Sequence, residues 1–264
     1  MHGDRGGLGL IPHIRGGEDF AAAFDVSREA IARLECYAAL LRQWQRAVNL
    51  VAASTLDDIW HRHFADSAQL MALVSSARSL VDLGSGAGFP GLVIAILWAD
   101  IAEGSPPAKA KASPSLPGAA ETVDRRRVRL VESNARKCAF LAEVVARTGI
   151  MPRIAVDILS TRCEAAATQA TLRGAEVVSA RAVAPLGRLL GLAAPLFSPG
   201  TIGVFLKGRD AAAELVIAQQ MWNFQVELLP SRTESDGHIV VIRRPTARPE
   251  GRARADRDRR TARG

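Results

Sequence analysis

The amino-acid sequence predicts an α/β fold: a seven-stranded, mostly parallel sheet with helices on both faces and a helical cap before the first strand. Three observations predict it. From Leu80 onward, short apolar segments alternate with helical segments, which is typical of a parallel sheet covered on both faces. A glycine-rich loop follows the first of these strands, between Gly84 and Gly91. The segments that precede that strand are helical, and no strand is predicted among them.

The predicted cap is made of three helical segments. Ser27 is a good N-cap for a helix that runs to about Ala47, because apolar residues recur within it at helical spacing. Thr55 begins a second helix with a capping-box-like start. A third helical stretch ends near Val74.

The sheet itself is predicted from the strand and helix patterns that follow. The expected strands are 79–83, 128–132, 153–156, 175–180, 201–206, 224–229 and 238–243. The expected helices between them are 91–98, 135–148, 185–192 and 211–220. A short polar loop joins the last two strands, so these two are expected to pair as an antiparallel hairpin.

Three segments are expected to lie outside this fold, so that a single domain spans about 25–243. Residues 1–24 are rich in glycine and are expected to be poorly ordered. Residues 102–123 are rich in Pro, Ala, Ser and Lys, which indicates a flexible surface insertion. Residues 244–264 form an arginine-rich tail that cannot bury a core. Most of the net charge of +7 comes from residues 243–264, which contain nine arginines and only three acids.

Composition narrows the classes of protein further. No run of 18 apolar residues is present, so no membrane span is expected. No signal peptide is visible at the N-terminus, and the three cysteines have no motif spacing. We therefore expect a cytoplasmic protein with reduced thiols, and we expect it to be a monomer.

The glycine loop predicts a nucleotide-type pocket at the carboxyl end of the first strand. Two cofactors remain possible at this point. The register Gly86, Gly88, Gly91 fits a dinucleotide fingerprint, which would bind NAD. Asp82 precedes Gly84 by two residues, however, and a carboxylate there would repel a pyrophosphate and attract a sulfonium. The acid therefore favours S-adenosylmethionine, with Asp82 and the loop holding its methionyl part.

Two further positions are expected to hold the adenosine part of that cofactor. Glu132 ends the second strand, where its carboxylate can accept hydrogen bonds from both ribose hydroxyls. It lies 48 residues beyond Gly84, a long separation that the 102–123 insertion explains. Backbone groups of Cys163 and Glu164, after the third strand, are expected to bound the adenine ring.

The expected substrate side lies at the ends of the fourth and fifth strands, where Arg181 and Lys207 are placed. No Asn/Asp-Pro-Pro-aromatic motif for an exocyclic amine and no cysteine nucleophile occur there. A ring nitrogen such as guanine N7 needs neither, and Arg and Lys are natural partners of the guanine O6/N7 edge. His63 and Asp66 are expected near the mouth of the pocket. His61 and His63 are alternate residues of a helix, so no metal site is expected.

Five sequence blocks, taken in order, resemble one known family. The blocks are Arg62-His63-Phe64-Ala65-Asp66-Ser67, the segment from Val81 to Gly91, Asn134-Ala135-Arg136-Lys137, the segment from Ser179 to Ala182, and Leu206-Lys207-Gly208. Over about residues 25–243 they resemble the bacterial 16S ribosomal RNA guanine-N7 methyltransferases, also called glucose-inhibited division protein B. Cysteine at 163, the 102–123 insertion and the tail depart from that family's pattern.

The resemblance implies a Rossmann-like class I methyltransferase that uses S-adenosylmethionine to methylate N7 of guanine 527 in 16S rRNA. It implies that Gly84, Phe89, the backbone of Cys163 and Glu164, and Arg181 contact the cofactor. We further expect His63, Asp66, Lys137, Arg181 and Lys207 to contact the rRNA or the small ribosomal subunit, with Arg181 and Lys207 acting in catalysis. An NAD-dependent oxidoreductase and a non-catalytic RNA-binding protein of the same fold remain the alternatives.

Overall fold

The chain forms a seven-stranded sheet in the order β3-β2-β1-β4-β5-β7-β6. The computed structural model describes residues 9–104 and 126–249. Strands β1 to β5 are parallel, and β7 lies antiparallel between β5 and β6. The strands are β1 Ser79–Leu83, β2 Arg127–Glu132, β3 Ala155–Ser160, β4 Val177–Arg181, β5 Ile202–Lys207, β6 Trp222–Pro230 and β7 His238–Ala247. The predicted Rossmann-like α/β fold and its closing antiparallel hairpin are confirmed.

Helices cover both faces of the sheet and form the cap. The α-helices are α1 Gly17–Phe24, α2 Arg28–Gln45, α3 Asp66–Ala68, α4 Met71–Val74, α5 Gly91–Gly104, α6 Ala135–Thr148, α7 Ala166–Leu172, α8 Leu186–Ala193 and α9 Ala211–Met221. A π-helical stretch, Trp60–Ala65, leads into α3. No helix in the described ranges is both long enough and apolar enough to span a membrane.

The sheet separates two hydrophobic cores, because alternate side chains of a strand point to opposite faces. On one face, Leu80 of β1 packs in a cluster with residues of α2, α5 and α6. On the other face, Val81 and Leu83 pack with residues of α8 and α9. Strand β1 is buried on both faces from Leu80 to Leu83, as expected of a central parallel strand. The carboxyl end of β1 is therefore held rigidly, and the glycine loop begins there.

The prediction of a poorly ordered N-terminus is wrong for residues 9–24. Helix α1 lies there, and its Phe20 is completely buried against Trp60, with ring centroids 5.8 Å apart. Ile14 is also buried, and the Ile11 N–H donates to the Arg232 carbonyl at 2.9 Å. Burying a phenylalanine contributes about 1.5–3 kcal/mol, so two or three anchors order a glycine-rich segment. Residues 1–8 lie outside the described residues.

Several predicted boundaries also differ from the structure. Helix α5 continues to Gly104, so the first residues of the predicted insertion are helical, and 105–123 lie outside the described residues. Strand β7 continues to Ala247, because Ile242 and its neighbours keep pairing with β6, so the predicted tail begins later; 250–264 are not described. Strand β3 spans Ala155–Ser160, whereas 153–156 was predicted. It lies at the edge of the sheet and carries polar residues, which weaken the apolar pattern in the sequence. Helix α7, which the sequence did not predict, has only seven residues.

Candidate functional site

The loop after β1 is built on left-handed glycines. Gly84, Gly86 and Gly88 have φ values of 63°, 57° and 96°, a region that side chains disfavour. At Gly84 a Cβ atom would lie 2.8 Å from the Cγ2 atom of Val183, which follows β4. Glycine is therefore required at position 84 for two reasons: the turn, and the close approach of the segment that follows β4.

Asp82 lies beneath this loop and fixes its shape. Its Oδ1 accepts a hydrogen bond from the Ser179 hydroxyl at 2.8 Å, and its Oδ2 accepts one from the Gly91 N–H at 3.2 Å. The residue is 0% exposed, and burial raises the pKa of its carboxyl group to about 6. The predicted direct contact with a methionyl group does not match this position, because Asp82 has no surface open to a ligand. It joins β1, β4 and the start of α5 instead.

Glu132 closes the other side of the loop. Its Oε2 accepts a hydrogen bond from the Gly86 N–H at 2.9 Å, and its Oε1 accepts one from the Asn134 N–H at 2.7 Å. Each carboxylate oxygen can accept a second hydrogen bond, so both retain acceptor capacity for a diol. Asn134 caps α6 by accepting from the Lys137 N–H at 3.2 Å. Lys137 thus lies at the start of α6, and it is not among the residues that line the cleft described below.

The segment after β3 borders the same loop. The backbone of Gly84 interacts with the thiol of Cys163, and burial raises the pKa of this thiol to about 11. Cys163 is half-buried, whereas Glu164 is exposed. The Thr161 N–H donates to the Glu132 carbonyl at 3.1 Å. The predicted adenine-binding segment and the glycine loop are therefore in direct contact.

Phe89, which follows the loop, lies at the centre of an aromatic and cationic cluster. Its ring stacks with the rings of Tyr37 and His63, at centroid distances of 5.4 and 4.8 Å. The Arg181 guanidinium lies 4.8 Å from the centroid of the Phe89 ring. Phe89 is only 4% exposed, so in this structure its ring contacts protein side chains where a cofactor contact was predicted. Tyr37 also donates its hydroxyl to the Ala87 carbonyl, which ties α2 to the loop.

Arg181 extends from the end of β4 into the cap. Its guanidinium donates to the Arg62 carbonyl at 3.0 Å, to Asp66 Oδ2 at 3.2 Å and to His63 Nδ1 at 2.9 Å. These contacts account for three of the five N–H donors of an arginine. The predicted group Arg181, His63 and Asp66 is therefore brought together by the fold.

The hydrogen bonds around His63 define its tautomer. The Thr55 hydroxyl donates to the Ala52 carbonyl at 2.8 Å, so it must accept from His63 Nε2–H, which lies 2.9 Å away. His63 Nδ1 is then free to accept from Arg181. Burial, followed by the positive charge of Arg181, lowers the pKa of His63 to about 3, so the imidazole is neutral at pH 7.

His61 joins three chain segments. Its Nδ1 accepts from the Ile14 N–H at 3.2 Å, and its Nε2 lies 2.9 Å from the Thr233 carbonyl. Both ring nitrogens of His61 and of His63 thus bond to protein groups. Within residues 9–104 and 126–249, no group of three or more His, Cys, Asp or Glu residues is placed to bind a metal.

A cleft of about 660 Å³ opens at the carboxyl ends of β4 and β5. Its walls are the cap, the segment that follows β4, the end of β5 and the loop between β6 and β7. They include His63, Asp66, Arg181, Val183, Lys207, Glu214, Ser231 and Glu234. The glycine loop does not line this cleft, and Val183 stands between the two.

Lys207, which was predicted to orient guanine and phosphates, has internal partners. Its Nζ donates to the Ala184 carbonyl at 2.6 Å and lies 2.7 Å from Glu214 Oε2. Its side chain is 10% exposed. It therefore contacts the segment after β4 as well as lining the cleft. Sequence reasoning missed Glu214, which lies in the first turn of α9, seven residues after Lys207.

Comparisons with known proteins match most of the chain. Residues 30–103 and 113–240 match the family model described as GidB, rRNA small subunit methyltransferase G. A protein called ribosomal RNA small subunit methyltransferase G from Parvibaculum lavamentivorans is 44% identical over 233 residues, covering 88% of this chain and 91% of that one. The protein of the same name from Rhodospirillum centenum is 48% identical over 225 residues, covering 85% and 88%. That from Rhodospirillum rubrum is 46% identical, covering 85% and 96%.

Proposed function

Because this chain belongs to the rRNA small subunit methyltransferase G family, we propose that it transfers a methyl group from S-adenosylmethionine to N7 of guanine 527 in 16S rRNA. One observation carries the proposal. Val183 joins the two parts of the site, since it packs on Gly84 of the glycine loop and also lines the cleft. A cofactor on the loop and a base in the cleft would therefore meet at this residue.

The loop side fits the adenosine part of this cofactor. The bare backbone at Gly86 has open space where a side chain would otherwise lie, since a Cβ there meets nothing closer than 3.8 Å. Glu132 keeps acceptor capacity for the two ribose hydroxyls, and the segment at Cys163 borders the loop where the adenine would lie. When bound, the cofactor supplies a methyl group on a sulfonium. Asp82 keeps the loop in its shape.

The cleft side fits a flat base with acceptor atoms on one edge. Two N–H donors of Arg181 are not used by its three protein contacts, and they can bond the guanine O6 edge. N7 carries an in-plane lone pair, so the protein needs only to orient the base and hold it close to the methyl group. A neutral His63 accepts a hydrogen bond from Arg181 and adds no positive charge beside it. His63 and Asp66 thus act by aiming Arg181.

The partner in this proposal is 16S rRNA, free or in the small ribosomal subunit, and the protein works as a monomer in the cytoplasm. The arginine-rich tail adds non-specific attraction to phosphates. The family assignment removes the support for an NAD-dependent oxidoreductase. Gly91 packs closely, as a dinucleotide fingerprint requires of its third glycine, since a Cβ there would lie 2.7 Å from Asp82 Cβ. The glycine spacing alone therefore does not distinguish a site for NAD from a site for S-adenosylmethionine.

The test is methyl transfer from labelled S-adenosylmethionine to free 16S rRNA and to small subunits, followed by mapping of N7-methylguanine by chemical strand cleavage. We expect one modified guanine, at position 527. Transfer to another atom or another nucleotide, or transfer to neither substrate, would contradict the proposal. Binding of rRNA without any transfer would favour the non-catalytic alternative.

A further inference from the structure

The segment that separates the two halves of the site, residues 182–186, has a constrained backbone. Ala182 has a φ of 55°, a left-handed conformation that residues with a Cβ rarely adopt. The next residue, Val183, packs on Gly84 so closely that no side chain fits between them. Such a conformation persists only where the surrounding contacts enforce it.

Helix α9 and strand β5 supply such contacts through the side chains of Glu214 and Lys207. Glu214 Oε2 accepts from the Leu186 N–H at 2.7 Å and from Lys207 Nζ at 2.7 Å. Lys207 Nζ also donates to the Ala184 carbonyl at 2.6 Å. Both charged side chains are mostly buried, at 10% exposure for Lys207 and 23% for Glu214. Charge-assisted hydrogen bonds of this kind are stronger than neutral ones.

We propose that Glu214 is a positioning residue, which together with Lys207 holds the 182–186 segment in place. It thereby sets the position of Val183 against the cofactor loop and the direction in which Arg181 enters the cleft. Removing its carboxylate leaves the Leu186 N–H and the buried Lys207 charge without this partner, and the strained segment can then relax. The inference rests on the proposed function only in that it concerns S-adenosylmethionine and methyl transfer.

The first experiment compares Glu214→Ala with Glu214→Gln. The amide oxygen of glutamine can accept both hydrogen bonds, whereas alanine accepts neither. We expect Glu214→Ala to raise the Kd for S-adenosylhomocysteine and the KM for S-adenosylmethionine about tenfold, which corresponds to 1.4 kcal/mol. Glu214→Gln should raise both about threefold. The control is Glu29→Gln, the same chemical change on the exposed surface of α2, which should alter neither constant.

The second experiment tests whether the two charged residues act as one unit. Lys207→Met should raise the same constants about as much as Glu214→Ala, and the double variant should add little, because residues in one network are not additive. Lys207→Arg should restore part of the affinity. A double variant equal to the product of the two single effects would overturn the proposal.

A merely structural role predicts a different pattern. In that case Glu214→Ala would lower Tm and leave the Kd and KM of the folded protein within twofold of wild type, and the proposal would be overturned. If the alanine variant does not fold, a Glu214→Gln variant with unchanged Kd overturns it instead. Wild-type protein that binds S-adenosylhomocysteine but methylates no rRNA would contradict the proposed function and leave the Kd test of Glu214 intact.

Discussion

The two halves of the site are held by different kinds of interaction. In the cofactor half, two carboxylates bond backbone N–H groups that are close in the fold: Asp82 bonds Gly91 and Glu132 bonds Gly86. In the substrate half, Arg181 bonds side chains and carbonyls of a cap more than 100 residues earlier in the chain. The cofactor half is therefore fixed by the path of the backbone. The substrate half depends on charge and on how the cap docks.

Replacing Arg181 should separate the two halves most strongly. Arg181→Ala removes the Arg181 guanidinium from the cleft, and truncating one partner of a buried charge pair costs about 2–5 kcal/mol. We expect kcat for rRNA methylation to fall about 1,000-fold, while the Kd for S-adenosylhomocysteine changes less than about threefold. Single-turnover rates and calorimetric titration measure the two quantities.

Two further variants define what the Arg181 result means. Arg188→Ala removes an exposed arginine of α8 and should leave kcat near the wild-type value. Arg181→Lys should recover little, because an ammonium cannot reach three acceptors in the plane of a guanidinium. A Kd that rises together with the loss of kcat would instead support the predicted contact between Arg181 and the cofactor.

Lowering the pH should change the free energy of unfolding with opposite signs through Asp82 in the cofactor half and His63 in the substrate half. The folded pKa of Asp82 is raised to about 6, so its contribution to stability falls as the pH rises from about 4 to 6. The folded pKa of His63 is lowered to about 3, so its contribution is present above pH 6.5 and is lost as the pH falls toward 3. One pKa unit corresponds to about 1.4 kcal/mol, so the shift of Asp82 corresponds to about 3 kcal/mol and the larger shift of His63 to about 5 kcal/mol.

Denaturant unfolding between pH 4 and 7 measures these slopes. Relative to wild type, the free energy of unfolding of Asp82→Asn should rise more steeply with pH, because the opposing slope has been removed. That of His63→Asn should rise less steeply. Parallel curves for wild type and either variant would show that the corresponding residue does not titrate differently in the folded and unfolded states.

The difference between the two halves also explains which parts of the site could be predicted from the sequence. The cofactor half follows a local motif, so the glycine loop, Glu132 and the parallel sheet were all predicted from spacing. The burial of Asp82 was not, because the residue's spacing does not show that Ser179 and Gly91 occupy both of its oxygens. In the substrate half, Arg181, His63 and Asp66 were predicted, but the partners of Lys207 were missed. Glu214 and Ala184 become its neighbours only when α9 and β4 pack beside β5.

Gly84→Ala tests the backbone-determined half directly. The substitution adds left-handed strain and a Cβ that would lie 2.8 Å from Val183, so we expect the Kd for S-adenosylhomocysteine to rise about 30-fold. Gly149→Ala is a matched control, since Gly149 has the same φ of 63° but open space around its Cβ position. It carries the strain without the contact, and it should lower Tm and leave the Kd unchanged. Equal Kd values for Gly84→Ala and wild type would show that the loop can move away from Val183.

Glu132→Gln should give the smallest effect, because it changes one charge and keeps the shape. The amide oxygen can still accept from the Gly86 N–H, but the NH₂ group that replaces the other oxygen can no longer accept from a ribose hydroxyl or from the Asn134 N–H. We expect the Kd for S-adenosylhomocysteine to rise about tenfold and the Kd for adenine-free methionine analogues to stay unchanged. Glu35→Gln, on the exposed face of α2, is the control for the loss of a charge. An equal loss of affinity for a 2′,3′-dideoxyribose analogue in wild type and variant would show that Glu132 shapes the loop and does not bind the ribose.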